Sequence, residues 1–211
     1  MAAQKPGKVH NPSSCPSCGL RYNCLCPRRP ALTAESCIVL LMHPREQGKA
    51  TNTGRLMTET LPACRSEIWS RTEPPQGLLD DIANPGYFPV LLFPAEDAIS
   101  VTQAAAQAAT EMGEEKREPL FIILDATWQE ARKMLRQSPW LAGLPKARLD
   151  ISAESAYHLR RNQKPGNLCT CEVGIHLLAE LGHSGDAAAL SAYFFTFLRL
   201  FEADRQHIRV T

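Results

Sequence analysis

Hydrophobic positions along this chain fall into two kinds of run. Unbroken apolar stretches at residues 37–42, 86–93 and 120–124 predict strands covered on both faces, because a strand with one wet face would alternate. Residues 67–69 are a further strand candidate. Helical spacing fills the intervals. Residues 95–112 are rich in Ala and Gln, and Trp128, Ala131 and Leu135 recur with a helical period while Arg132, Lys133 and Arg136 turn elsewhere. An apolar helical pattern runs from Leu168 through Ile175, Leu177, Leu178 and Leu181, with Thr170 available as an N-cap. In residues 187–205, Leu190, Tyr193, Phe194, Phe197, Leu198 and Phe201 share one stripe, which assigns them to core packing. Strand and helix alternate, so the expectation is an α/β domain with a largely parallel sheet. There is no internal repeat or heptad pattern.

At 211 residues and 44% hydrophobic composition, the chain can bury one sizeable core with a small appendage. A formal net charge of +1 excludes a uniformly basic nucleic-acid binder, so any RNA contact must be local. The apolar runs are too short to span a bilayer and no signal-peptide core is visible; the expectation is a cytoplasmic protein with no membrane contact and no obligate protein partner. Residues 1–14 read as a flexible polar tail.

Four of the eight cysteines crowd into one short stretch, which points to a metal rather than to disulfides. Cys15, Cys18, Cys24 and Cys26, with Gly19 and flanking prolines for tight turns, suit a tetrahedral structural zinc. Unliganded reduced thiols and an iron–sulfur cluster are the alternatives. A closed four-thiolate site has no open position, so zinc here would fold residues 15–30 rather than activate water. Cys37, Cys64, Cys169 and Cys171 read as small hydrophobes. The main domain then covers residues 31–211.

Three polar clusters could carry chemistry. Asp125, Ala126, Thr127 and Trp128 end a buried strand and enter a helix, the place where open α/β sheets bind ligands; equally, Asp125 or Thr127 could be a plain N-cap and Trp128 a core residue. Ser155, Tyr157, Arg160, Arg161 and Lys164 combine cations with an aromatic, suited to phosphates and stacked bases or to a solvated face. The stretch from His43 to Arg55 offers Thr51, Asn52, Thr53 and Arg55 as donors after the first strand, but His43 and Ala50 break the P-loop pattern. Dinucleotide, zinc-protease and nucleophile-elbow signatures are missing.

Taken in order, the four-cysteine cluster, the run from Thr51 to Arg55, Leu91 to Pro94, Asp125 to Trp128, Ser155 and Tyr157 through Arg161, and Leu168 to Glu172 resemble the DTW-domain family of tRNA-uridine aminocarboxypropyltransferases. Ala126 stands where that family usually has glycine, and Val173 where it usually has alanine. The resemblance implies a SPOUT-like α/β fold with a C-terminal trefoil knot and a small zinc module. It implies transfer of the 3-amino-3-carboxypropyl group of S-adenosylmethionine to N3 of a tRNA uridine, in the variable loop, with release of methylthioadenosine. Asp125 and Thr127 are then the catalytic candidates, and Phe93, Pro94, Trp128, Ser155, Tyr157, Thr170 and Glu172 the donor-binding ones. Arg55, Arg160, Arg161 and Lys164 are the RNA-binding candidates, and Asp125 is open to two roles: base for N3 or holder of the donor's ammonium. A SPOUT-like methyltransferase and a non-catalytic zinc-containing RNA-binding protein are the rival expectations.

Overall fold

Six strands, β1 (Cys37–Met42), β2 (Cys64–Ile68), β3 (Tyr87–Leu92), β4 (Ile99–Ser100), β5 (Glu118–Asp125) and β6 (Lys146–Arg148), pair in parallel throughout, in the order β2-β1-β5-β3-β6-β4. The computed structural model describes residues 13–110, 116–150 and 168–210. Seven α-helices lie among the described residues, α1 (Gly54–Thr58), α2 (Gln76–Ala83), α3 (Val101–Thr110), α4 (Trp128–Gln137), α5 (Pro139–Ala142), α6 (Thr170–Glu180) and α7 (Ser184–Arg205), with short 3-10 turns at Cys26–Arg28 and Pro44–Glu46.

Successive side chains of each strand point to opposite faces, and both faces are covered. Ile38 and Leu40 of β1 pack with Leu56, Ala104, Leu177 and Phe194, which puts α1, α3, α6 and α7 on one face. Val39 and Leu41 pack with Leu78, Ala131 and Leu141, which puts α2, α4 and α5 on the other. This explains why β1, β3 and β5 are apolar without alternation. All six residues of the expected α7 stripe are buried.

Two elements differ from the sequence pattern. β2 begins earlier than residue 67 and is largely polar, as an edge strand can be: Arg65 reaches Glu67 at 3.3 Å and also pairs with Asp81. The helix expected over 95–112 starts only at Val101. Ser100 Oγ accepts from the Gln103 amide at 3.1 Å, and Gln103 Oε1 accepts from the Ser100 amide at 2.9 Å; this reciprocal cap marks the helix start and leaves Ile99 and Ser100 to the sheet.

The N-terminal segment lies on the α1/α7 face. Cys18, Leu20 and Leu25 are buried in the same cluster as Leu56 and Phe197. Asp204 of α7 accepts the backbone N–H groups of Arg21, Tyr22 and Asn23 at 2.6–3.1 Å, and Asp186 accepts those of Thr33 and Ala34. No helix among the described residues is long and apolar enough to cross a membrane.

Candidate functional site and metal centre

From the carboxyl end of β1 the chain leaves toward α1 on one face, and from the end of the adjacent β5 toward α4 on the other. Where neighbouring strands send their connections to opposite faces, a crevice opens at their carboxyl ends. Met42 and Asp125, the last residues of these strands, are register partners at its floor.

Asp125 is only 2% exposed, and its carboxylate is held from two sides. Asn52 Nδ2 donates to Oδ2 at 2.7 Å and Thr170 Oγ1 donates to Oδ1 at 2.6 Å. Both bonds are donated to the carboxylate and hold it in one orientation. Burial first, and then the neighbouring Asp125, push the Cys64 thiol up to about 12. Asn52 is itself oriented, its Oδ1 accepting the Arg55 amide at 3.1 Å. Gly54 makes room, since a Cβ there would sit 2.7 Å from Asp125 Oδ2. The loop after β1, the tip of β5 and the start of α6 thus converge on one carboxylate.

The next residues divide between capping and lining. Thr127 is the N-cap of α4: its Oγ1 accepts the Glu130 amide at 3.4 Å and donates to Glu130 Oε2 at 2.7 Å, while its own amide donates to the same oxygen at 3.1 Å. Trp128 is partly exposed at the first turn, its ring 6.2 Å from that of the half-buried Phe93, and Pro94 beyond is exposed. Aromatic surface therefore borders the crevice. At α6 the N-cap is Cys169 rather than Thr170, because the Thr170 hydroxyl is spent on Asp125. Glu172 is buried and accepts the Cys169 amide at 2.8 Å, and the Cys171 amide donates to Thr53 Oγ1 at 3.3 Å. These two N–H groups of the first turn are satisfied by protein and are not free for a ligand carboxylate.

Arg55, expected to meet RNA phosphates, is turned inward instead. Its Nη1 donates to the Cys18 carbonyl, its guanidinium lies 5.2 Å from the Phe197 ring centre, and its Nε and Nη2 are buried with no hydrogen-bond partner among the described residues. Each unmade bond costs about 1–3 kcal/mol, partly offset by the cation–π contact. A guanidinium enclosed in this way keeps its remaining N–H groups away from the surface where a phosphate would meet them. Ser155, Tyr157, Arg160, Arg161 and Lys164 lie outside the described residues.

Sequence reasoning missed a second polar group at the rim. The His43 ring stacks on Trp69 with centres 5.5 Å apart, and its Nδ1 accepts the Arg45 amide at 3.2 Å. Glu130 Oε1 lies 3.8 Å from that Nδ1 and 3.7 Å from Arg45 Nη1. Burial pushes the Glu130 carboxyl up, but the two Thr127 hydrogen bonds, helped by the nearby Lys49 charge, outweigh it and hold it below its usual value. Only the Thr127–Glu130 spacing, a capping-box pattern, could have flagged it.

The four N-terminal cysteines meet at one point. Cys15 Sγ lies 3.7 Å from both Cys26 and Cys24, Cys18 Sγ lies 3.8 Å from Cys24, and all four sulfurs are within 4.8 Å of one another. A tetrahedral zinc with bonds of about 2.3 Å has edges of roughly 3.8 Å, so the sulfurs sit where such an ion needs them. The turn is made by Gly19 at φ 72°, and the Leu25 amide donates to Cys18 Sγ at 3.5 Å. Backbone N–H groups of Cys18 and Ser17 lower the Cys15 thiol to about 6, while at Cys24 the lowering by the Cys26 backbone N–H is outweighed by burial and the hydrogen bonds of the other three thiols, which push it up to about 12, as expected when close thiols share one site.

Among known proteins, the chain matches the DTW domain over residues 12–202. It is also similar to tRNA-uridine aminocarboxypropyltransferase 2 of Drosophila melanogaster, with 24% identity over 168 residues. That alignment takes in 75% of this chain and 62% of the fly protein, so the chain spans somewhat under two thirds of its relative's length. No solved structure matches significantly.

Proposed function

Because the chain belongs to the DTW-domain family, we propose that it is a tRNA-uridine aminocarboxypropyltransferase. It would move the 3-amino-3-carboxypropyl group of S-adenosylmethionine to N3 of a tRNA uridine in the variable loop and release methylthioadenosine. The observation that carries this reading is the buried Asp125 carboxylate, held by Asn52 and Thr170 at a sheet crevice bordered by Trp128 and Phe93.

The donor supplies a sulfonium whose bond to the γ-carbon of the methionine chain breaks, the electron pair returning to sulfur as uridine N3 bonds to that carbon and its proton passes to water. The protein's task is positioning, since the methyl carbon is equally activated and must be kept from the nucleophile. The residues fit such a donor: a fixed anion answers its ammonium, and aromatic faces answer its sulfonium charge. Of the two roles open to Asp125, the grip supports donor positioning. Both carboxylate oxygens already accept a hydrogen bond, which fixes the group in place to meet the donor's ammonium. Thr127 acts through the α4 cap, setting where Trp128 stands. The resemblance further assigns Ser155 and Tyr157 to the donor, Arg160, Arg161 and Lys164 to RNA phosphates, and a SPOUT-type knot to the C-terminal part.

Purified protein incubated with unmodified tRNA transcripts and S-adenosylmethionine should yield aminocarboxypropyluridine and methylthioadenosine by mass spectrometry of the nucleoside digest. Asp125→Ala should abolish both. Methylated nucleoside with S-adenosylhomocysteine would instead make the protein a methyltransferase, and a folded protein without donor binding would leave an RNA-binding role.

A further inference from the structure

We infer that Arg55 is a positioning residue that ties the four-cysteine metal cluster to the Asp125 carboxylate, so that the metal centre governs donor binding as well as the folding of its own loop. The link is a continuous run of contacts. The Cys18 carbonyl, on a metal-ligating residue, accepts from Arg55 Nη1. The Arg55 amide donates to Asn52 Oδ1 at 3.1 Å, and Asn52 Nδ2 donates to Asp125 Oδ2 at 2.7 Å. One residue thus touches the metal module through its side chain and the carboxylate's clamp through its backbone.

Three features give the link its stiffness. Arg55 is the second residue of α1, one turn in all, which has too few internal hydrogen bonds to hold its position alone. Phe197 of α7 backs the guanidinium at 5.2 Å, so the side chain cannot swing aside without entering the core. Gly54, beside it, lies so close to Asp125 that any drift of α1 is felt directly at Oδ2.

The charge has its own logic. Four thiolates around a divalent zinc leave a net charge of −2, and the Arg55 guanidinium lies over the Cys18–Gly19 peptide, with Nη1 3.8 Å from the site of a Gly19 Cβ. A guanidinium with two nitrogens unpartnered among the described residues is retained at a cost, and the carbonyl and the anionic cluster are what it is held against.

This inference rests on the donor reading only in its second readout, and the experiment separates the two. Hydrogen exchange at the amides of residues 52–58 is followed by mass spectrometry in zinc-loaded and chelated protein, for wild type and Arg55→Met, with S-adenosylmethionine titrated by calorimetry and zinc content measured throughout. In wild type, chelation should speed exchange in this segment about tenfold and weaken donor binding by a similar factor. Zinc-loaded Arg55→Met should show both losses with its metal still bound, and chelation should then add little, because coupled effects are not additive. Arg55→Lys, which keeps a donor for the Cys18 carbonyl, should recover most of the protection and also serves should the Met variant fail to fold. Wild-type exchange and donor affinity in zinc-loaded Arg55→Met, or additive losses on chelation, would overturn the link. Altered exchange with no donor binding in any form would uphold the link and remove the donor reading instead.

Discussion

Gly54 offers the sharpest single-residue test of the clamp around Asp125. A Cβ at this position would stand 2.7 Å from Asp125 Oδ2 and 3.0 Å from Leu40 Cδ1, both anchored groups that cannot yield cheaply. Gly54→Ala should therefore lower stability by about 1–3 kcal/mol and reduce S-adenosylmethionine affinity at least tenfold, measured by denaturation and calorimetric titration. Gly185→Ala, in open space at the start of α7, is the control and should change neither. A second test concerns Glu130, whose folded pKa lies below the usual 4.5. Its ionised form thus contributes stability above that value, and the contribution is lost as pH falls through the depressed folded pKa. Glu130→Gln, which keeps the cap but removes the charge, should be less stable than wild type by about 1 kcal/mol at pH 7. The difference should shrink below about pH 4.5 and vanish in stronger acid, as followed by thermal melts across pH. Asp125 is legible in the sequence because an acid at the end of an apolar run can be recognised locally. The partners of its carboxylate are not. Asn52 and Thr170 read as polar residues of separate segments, and only the sheet order brings both to the tip of β5. The inward turn of Arg55 is equally hidden, since it depends on Phe197 and the Cys18 carbonyl, both distant in sequence.

Helix α4 carries the argument at the scale of elements. It begins at Trp128 in the crevice, its inner side buries Ala131 and Met134, and its outer side exposes Arg132, Lys133 and Arg136. Among the described residues no acid pairs with these three cations, whereas Arg29, Arg45, Arg65 and Lys146 each meet one. Under the proposed function, this basic face leading away from the crevice suits the backbone of a tRNA. Arg132→Ala combined with Arg136→Ala should weaken tRNA binding about tenfold and flatten its dependence on salt by roughly one to two units of slope, with donor affinity intact. Unchanged tRNA affinity would mark the face as merely solvated. Elements of this kind are the ones the sequence pattern shows well: a strong helical period for α4, and continuous apolar runs for β1, β3 and β5. The edges are harder. β4 and β6 have two and three residues, too few to form a pattern, and β2 is polar because only one of its sides is paired.

For the whole molecule, the question is whether the metal module is an appendage or part of the core. Residue order places it before the first strand, so the sequence suggests a separate unit of residues 15–30. The structure folds it against the far end of the chain. Leu20 and Leu25 are 3% and 0% exposed within the core cluster of α1, α6 and α7, and Asp204 near the end of α7 holds three consecutive backbone N–H groups of residues 21–23. Asn23 extends the clamp, donating to the Ile208 carbonyl at 2.7 Å and accepting the Val210 amide at 2.8 Å. Shared burial of this kind predicts that the module and the sheet unfold as one cooperative unit. Zinc removal should accordingly lower a single calorimetric transition rather than melt a first small one and leave the rest unchanged. Asp204→Ala, which strips the acceptor from those amides, should cost about 1–3 kcal/mol and speed zinc release to a chelator, although Asp204 touches no cysteine. Two separate transitions, with the larger insensitive to zinc and to Asp204, would show instead that the module only rests on a domain that folds without it. That outcome would also predict that a chain lacking residues 1–30 keeps its melting temperature, whereas a shared core predicts that removing Leu20 and Leu25 exposes the α7 stripe and lowers it sharply.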